Sequence, residues 1–468
     1  MKQQADNPLK RTRWARARYA VAAVLLAGAG FVYGYLSHRN GLFPASLIRR
    51  WSEAPAETIS DAPPGRWRRA GAGFHDSAAT QEAIDRLRSI GYLSGSDLAP
   101  DFTEVTVHEE DKAFEGVNLY TSGHAPEAIL MGMDGAVMHT WSYAFDDVWS
   151  PAGRPTSRPG VFAVDYWRRA HLFDNGDLLA IYEGFGVIKL DRDSRLLWSY
   201  PRDDPGAFEA EPGAHHDLFV DEDGLIYVLT RRAEIVPRIN RAWPILEDFV
   251  TILTPAGESV DSVSVLEAFE RSQFAPVLAN IAERGDIFHT NTIEVFDGRH
   301  AGEAPIFKRG NVLISLREID VIAIIDMELR KVVWAITGMT ARQHQPTLLD
   351  NGNLLVFDNL GNHGRSNVIE VDPLTQQVVW EYPGAGATGL LSETCGSAQR
   401  LPNGNTLITE TDRGRALEVD ASGNIVWEFF NPHRAGDEME LIASLFEVVR
   451  LPPGFSAGWL DRRGASDR

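Results

Sequence analysis

The chain holds a single cysteine, Cys395, among 468 residues. That excludes an intramolecular disulfide and any zinc site built from several thiolates. In the stretch Glu393-Thr394-Cys395-Gly396, beside a hairpin strand, it reads as a small packed side chain rather than a nucleophile. Surplus positive charge is missing as well, since the formal net charge is -20. A phosphate-binding surface needs clustered Lys and Arg, so nucleic acid is not an expected partner. What is present is the composition of a large folded protein, 44% apolar and 10% aromatic.

One long uncharged run stands out, YAVAAVLLAGAGFVYGYLS from Tyr19 to Ser37. It approaches the ~20 residues that span a bilayer as a helix. Lys2, Lys10, Arg11, Arg13, Arg16 and Arg18 precede it, against Arg39, Arg49 and Arg50 after it. The positive-inside rule keeps residues 1–18 cytoplasmic and exports the rest, so 19–37 is expected to be an uncleaved signal anchor in the inner membrane. Residues 38–115 read as linker and short helix. The segment 54–69 is rich in Pro, Ala and Arg, and AATQEAIDRLRSI after Ser77 sets Ile84, Leu87 and Ile90 on one helical face.

From about Val117 the chain repeats. Five segments end alike, in HTWSY, LLWSY, VVWAI, VVWEY and IVWEF, placing Trp141, Trp198, Trp334, Trp380 and Trp427 at one recurring position. Turn signals such as Asp174-Asn175-Gly176, Glu222-Asp223-Gly224, Asn351-Gly352 and Asn403-Gly404 lie upstream. Units start near 117, 168, 215, 288, 343 and 396, with an insertion around Asp297–Lys308 and a helical stretch over Leu266–Glu283. This pattern predicts an all-β fold over 116–452, a six-bladed β-propeller of four-stranded antiparallel blades, with a tail over 453–468. The five tryptophans are expected to anchor blade to blade.

Register through the repeats brings polar residues together. Counting back six residues from the position before each first turn reaches His344, His216, Arg168 and Gly396, and the displaced fourth unit opens on His289 and Asn291. If first strands are innermost, three histidines converge on a central channel. Seven residues after the turn glycines stand Arg317, Asn359, Thr411, Arg231 and Glu183, at the adjoining ends of second strands. Imidazoles suit zinc, copper or iron, but a neighbouring Arg disfavours a divalent ion. Arg with several His suits an anionic, oxygen-rich group, and a neutral imidazole can attack such a group.

The openings AHHDLFVDEDGLIYVL, FHTNTIEV and RQHQPTLLDNGNLLVFDN, with the Arg of LISLREID, resemble the bacterial arylsulfotransferases of the sulfohistidine type. The resemblance covers roughly 115–452. It implies ping-pong transfer of a sulfuryl group from aryl sulfates to phenols, without the nucleotide sulfate donor and without metal or organic cofactor. His344 would accept the group, and His216, His289 and Arg317 would assist, His216 protonating the leaving phenolate. Asn291, His215, Asn359 and Thr411 (or Ser397 in place of Thr411) would contact substrate, and Trp149, Tyr166 and Phe185 are candidate pocket walls. The single cysteine departs from well-known periplasmic members, which carry a disulfide. The resemblance implies a propeller in the periplasm or outside the cell. A membrane-anchored binding or scaffold propeller is the alternative function. A quinone-dependent dehydrogenase, also a Trp-repeat propeller, lacks support, because no acidic cluster has calcium-ligand spacing.

Overall fold

Each first hairpin turns on a glycine that adopts a left-handed backbone: Gly176 (φ 87°), Gly224 (81°), Gly310 (82°), Gly352 (83°) and Gly404 (89°). Any residue with a Cβ is strained there, so the Asn-Gly and Asp-Gly signals mark real strand reversals. The computed structural model describes residues 97–149, 165–203, 211–384, 389–436, 438–455 and 458–460. The run Tyr19–Ser37, the segment 54–69 and the helix expected over 78–90 lie outside them. Among the described residues no helix is long and apolar enough to cross a membrane.

The described strands form six blades of four antiparallel strands, the second to sixth in simple meander order. Their innermost strands are Trp167–Leu172, Gly213–Val220, Thr290–Val295, His344–Leu348 and Ser397–Arg400. The first blade differs from the simple repeat. Val117–Ser122 is its second strand, and its innermost strand is Leu445–Leu451, paired with Val117–Ser122 across the whole ring closure. The ring also reaches further upstream than residue 116, because Glu104–His108 adds a fifth, outer strand to the sixth blade. Neither end could be placed by counting repeats, since each strand joins a blade remote in sequence. The tail after 452 is engaged too: Trp459 is buried and tilts against Trp141 at 5.6 Å.

The recurring tryptophans join neighbouring blades. Trp141 donates its indole N–H to Gly176 O (3.0 Å) in blade two, Trp198 to Pro255 O (3.0 Å) in blade three, and Trp427 to Met133 O (2.8 Å) in blade one. Trp334 and Trp380 pack against the apolar clusters shared by blades four and five and by blades five and six. Apolar faces of adjacent blades thus form six separate clusters, one at each junction of the ring.

The closing strand is fixed by a buried ion pair. Arg450 contacts Glu418 of blade six at 3.0 Å, both side chains being fully buried, and donates to Asn118 Oδ1 at 2.6 Å. Removing one partner of such a pair leaves a charge without compensation, a loss of about 3–5 kcal/mol. Arg450→Leu is therefore expected to lower unfolding free energy by that amount in urea titration. A change below about 1 kcal/mol would mean that Glu418 is satisfied by its amide donors alone.

Candidate active site

The innermost strand pairs do not run regularly at one rim. In blades one to five their register slips, between Thr121/Ser122, Trp167/Arg169, Val228/Thr230, Thr290/Thr292 and His344/Thr347. Left-handed non-glycine residues lie within the bulges of blades three and five, at His216 (φ 55°) and Gln345 (φ 50°), and immediately before that of blade four, at His289 (φ 52°). Such a backbone costs on the order of 1–3 kcal/mol and persists where surrounding structure over-determines it. Here the consequence is that consecutive polar side chains leave the strict alternation of a strand and gather at the channel.

His344 lies at the head of its strand and is 2% exposed. Its Nδ1 is 2.8 Å from Asn359 Oδ1 and 3.0 Å from Arg342 O. The Asn359 amide is oriented independently, because Nδ2 donates to Ser392 O and Cys395 O, each at 2.7 Å. Both neighbours of Nδ1 are therefore acceptors, so Nδ1 carries the proton and Nε2 keeps its lone pair. Burial, then the Arg317 guanidinium, push the His344 pKa well below the usual imidazole range, with His289 and Arg168 adding to it against the Asn359 bond. The unfolded chain takes up a proton that folded His344 refuses. His344 therefore draws down stability as pH falls below about 6.5. A ring 15N titration is expected to find His344 neutral, with hydrogen on Nδ1, at pH 6. An imidazolium signal at that pH would overturn the assignment.

His216 and His289 stand beside each other, ring centroids 4.8 Å apart. His215 lies behind His216, the two Nδ1 atoms 2.9 Å apart and its Nε2 3.7 Å from Asp248. Burial holds both His215 and His216 well below the ordinary value, with Arg231 next for His215 and His289 next for His216. His289 is lowered less severely. Burial again leads, but Asp286, 3.1 Å from its Nδ1, works in the opposite direction. Glu183 receives the backbone N–H of His216 at 2.9 Å and faces Arg231 at 3.7 Å. Asp248, pushed up to about 7 by burial and Asp286, accepts from the backbone and hydroxyl of Thr290.

The structure brings His344, His216, His289 and Arg317 into one electrostatic neighbourhood. Arg317 bonds Glu318 at 2.6 Å, which also meets Arg342 at 2.5 Å, and its amide donates to His289 O at 3.2 Å. Asn359 and His215 hold other site residues in place. Asn291 does so too, donating to Gln343 O at 2.9 Å, immediately before His344. Thr411 Oγ1 accepts from Gly396 N at 3.0 Å. Ser397 heads the inner strand of blade six. Trp149 and Phe185 are core residues stacked at 6.4 Å, and Tyr166 stacks on Phe446 at 4.7 Å. Cys395 is buried, and burial pushes its thiol pKa up.

Arg169 and Glu447 escaped sequence reasoning, whereas register reaches Arg168 and Glu183 without giving them a role. Arg168, reached by the same count as His344, lies within the field of both His344 and His216. One step along, Arg169 contacts Asp217 at 2.7 Å, Gln345 at 3.2 Å and Glu447, joining blades two, three, five and one. Glu183, His215 and His216 offer three metal-ligand atoms within 4.8 Å of one another. Arg168 and Arg231 bear on that same group, and two cations oppose a divalent ion there.

Residues 170–432 match the family described as Arylsulfotransferase (ASST). Solved structures similar to the chain include a protein of unknown function from Bacteroides caccae, 14% identical over 71% of this chain and 98% of that one, TM-score 0.45. A streptogramin B lyase is 14% identical over 76% and 95%, TM-score 0.41. A catalytically inactive virginiamycin B lyase from Staphylococcus aureus is 11% identical over 76% and 98%, TM-score 0.40. At these identities and scores the structural likenesses carry nothing about chemistry. No curated protein matches the chain.

Proposed function

The chain belongs to the arylsulfotransferase family, and from that premise we propose that it moves a sulfuryl group from an aryl sulfate to a phenol, with His344 carrying the group in between. The observation that carries this reading is the paired acceptors on His344 Nδ1, which leave a neutral ring with its lone pair on Nε2. In the first half-reaction that lone pair attacks sulfur and the bond from sulfur to the aryl oxygen breaks. In the second, the acceptor oxygen attacks, the N–S bond breaks and Nε2 recovers its pair.

Negative charge on the sulfuryl oxygens would be met by Arg317, with Arg168 adding its field. The resemblance first gave the proton-transfer role to His216. Its buried, cation-flanked environment makes it a poor proton holder. His289 is the better candidate, because Asp286 sustains its proton affinity. It would protonate the departing phenolate and then take the proton of the acceptor phenol. Asn359 and Asn291 would act as positioning residues rather than substrate contacts.

The test is transfer from 4-nitrophenyl sulfate to phenol. Parallel-line initial-velocity plots and nitrophenol release in a burst without acceptor are the expected results. Binding of the ester with no release would leave a sulfate-ester-binding propeller instead. Export of the propeller behind an anchor over 19–37 belongs to the same proposal and rests on that run and its basic flank. Protease cleavage of the propeller in spheroplasts tests it, and full protection would refute it.

A further inference from the structure

Away from the histidine ring, a second group of donor side chains sits where blade six meets blade one. His124 and Glu127 belong to the turn between the strands Val117–Ser122 and Glu127–Met131 of blade one. His433 follows Ile425–Phe430, the last of the four meander strands of blade six. Both loops hang from the segment leading into the closing strand. Ala443 N donates to His433 O at 3.0 Å, and Gly123 N donates to Ser444 O at 2.9 Å.

The three side chains converge. One nitrogen from each imidazole and one oxygen of Glu127 lie within 4.8 Å of one another. The two rings stack, centroids 3.3 Å apart and planes 7° from parallel, so one ring tilts out of the stack when both donate in-plane to a shared ion. His124 Nδ1 is held by Ser122 Oγ, which turns Nε2 toward the Glu127 carboxylate. A ligating histidine is ordinarily fixed in this way, through its second nitrogen. His433 Nε2 is buried and has no hydrogen-bond partner. An unmet buried nitrogen is costly unless something else takes its lone pair.

Charge agrees with that geometry. Burial, then the neighbouring His124, bring the His433 pKa down to about 4, so near pH 7 the ring is a neutral donor. Burial opposes ionisation of Glu127, but the hydrogen bond and field of His124 outweigh it and keep the carboxylate below its usual pKa. Two imidazoles and one carboxylate are donor types that zinc takes, with a fourth position left for water. A cation there would replace the direct contact between His124 and Glu127 and give His433 Nε2 its partner.

We propose that His124, Glu127 and His433 form a zinc-binding site that fastens the loop leaving blade six to the first turn of blade one. Its role is to hold the ring closed, and it is independent of sulfuryl transfer at His344.

The experiment uses the full chain stripped with EDTA and titrated with zinc chloride against a colorimetric chelator, with Tm recorded alongside. One equivalent is expected to bind and to raise Tm in proportion to the logarithm of free zinc. Glu127→Gln and His433→Gln, which keep size and polarity, are expected to weaken binding at least tenfold and to abolish the rise in Tm. Their Tm without zinc reports whether they fold. His215→Ala, which disables the other three-donor group, should leave binding unchanged. The proposal is overturned if no equivalent binds. It is equally overturned if binding survives in both seam variants or is lost in His215→Ala.

Discussion

His344→Ala is expected to lower turnover of 4-nitrophenyl sulfate by about a millionfold, the scale on which loss of a covalent nucleophile acts. No other imidazole can take over by a small shift. His216 Nδ1 meets His215 Nδ1 and His289 Nδ1 meets Asp286, and neither ring has the paired acceptors that fix the tautomer of His344. Truncation leaves Asn359 Oδ1 without its donor, a loss of about 1–3 kcal/mol that could lower the yield of folded protein. His344→Gln supplies an amide N–H to that oxygen and still has no nucleophilic nitrogen, so it separates folding from chemistry. Acid-labile sulfate on the protein, formed without acceptor, should be absent from both variants. Turnover within tenfold of the parent in folded His344→Gln would dispose of the sulfohistidine.

The second large effect is expected at Arg317. Arg317→Met should lower kcat by about 10²–10³-fold, as loss of one preorganised donor to a developing oxyanion does. Its side chain is partly accessible, 17% exposed, and balanced by Glu318, which Arg342 shares. A structural role alone would predict lost stability and little else. The charge also helps to hold the His344 pKa down, second only to burial. Removing it raises that pKa, so the acid limb of the pH profile for the first half-reaction should move to higher pH. An unchanged kcat with an unchanged acid limb would assign Arg317 to structure.

Much of this was legible in sequence because the repeats share one turn chemistry. Glycines at positive φ fixed where first hairpins reverse, and counting from them reached His344 and His216, with Asn359 on the paired strand end. The His344 to Asn359 bond is what that count implies. The parts that stayed hidden have three physical causes. Bulges break the two-residue period of a strand, so Arg169 reaches channel partners beside the counted Arg168 although alternation would send it outward. The closing strand LFEVVRL sits beside residues some three hundred positions earlier and has no turn glycine of its own to count from, which hid Glu447 and Arg450. Asp286 was missed because it lies in the two-residue strand Gly285–Asp286, which pairs in parallel with Ile245 and Leu246 outside the meander that the repeat count follows.

The double fastening of the ring also bears on how the protein comes into being. Val117 pairs with Leu451, and Glu104 with Phe430, so the blade interface that completes the circle joins the earliest and latest parts of the propeller. Contacts so distant in sequence carry a large loop-closure entropy and form slowly. Until Leu445–Leu451 is in place, blade one lacks its inner strand and Arg169 lacks Glu447. A nascent chain would carry five nearly finished blades with open edges and no competent centre. Chemistry in this fold is thus a property that arrives all at once, with the last strand.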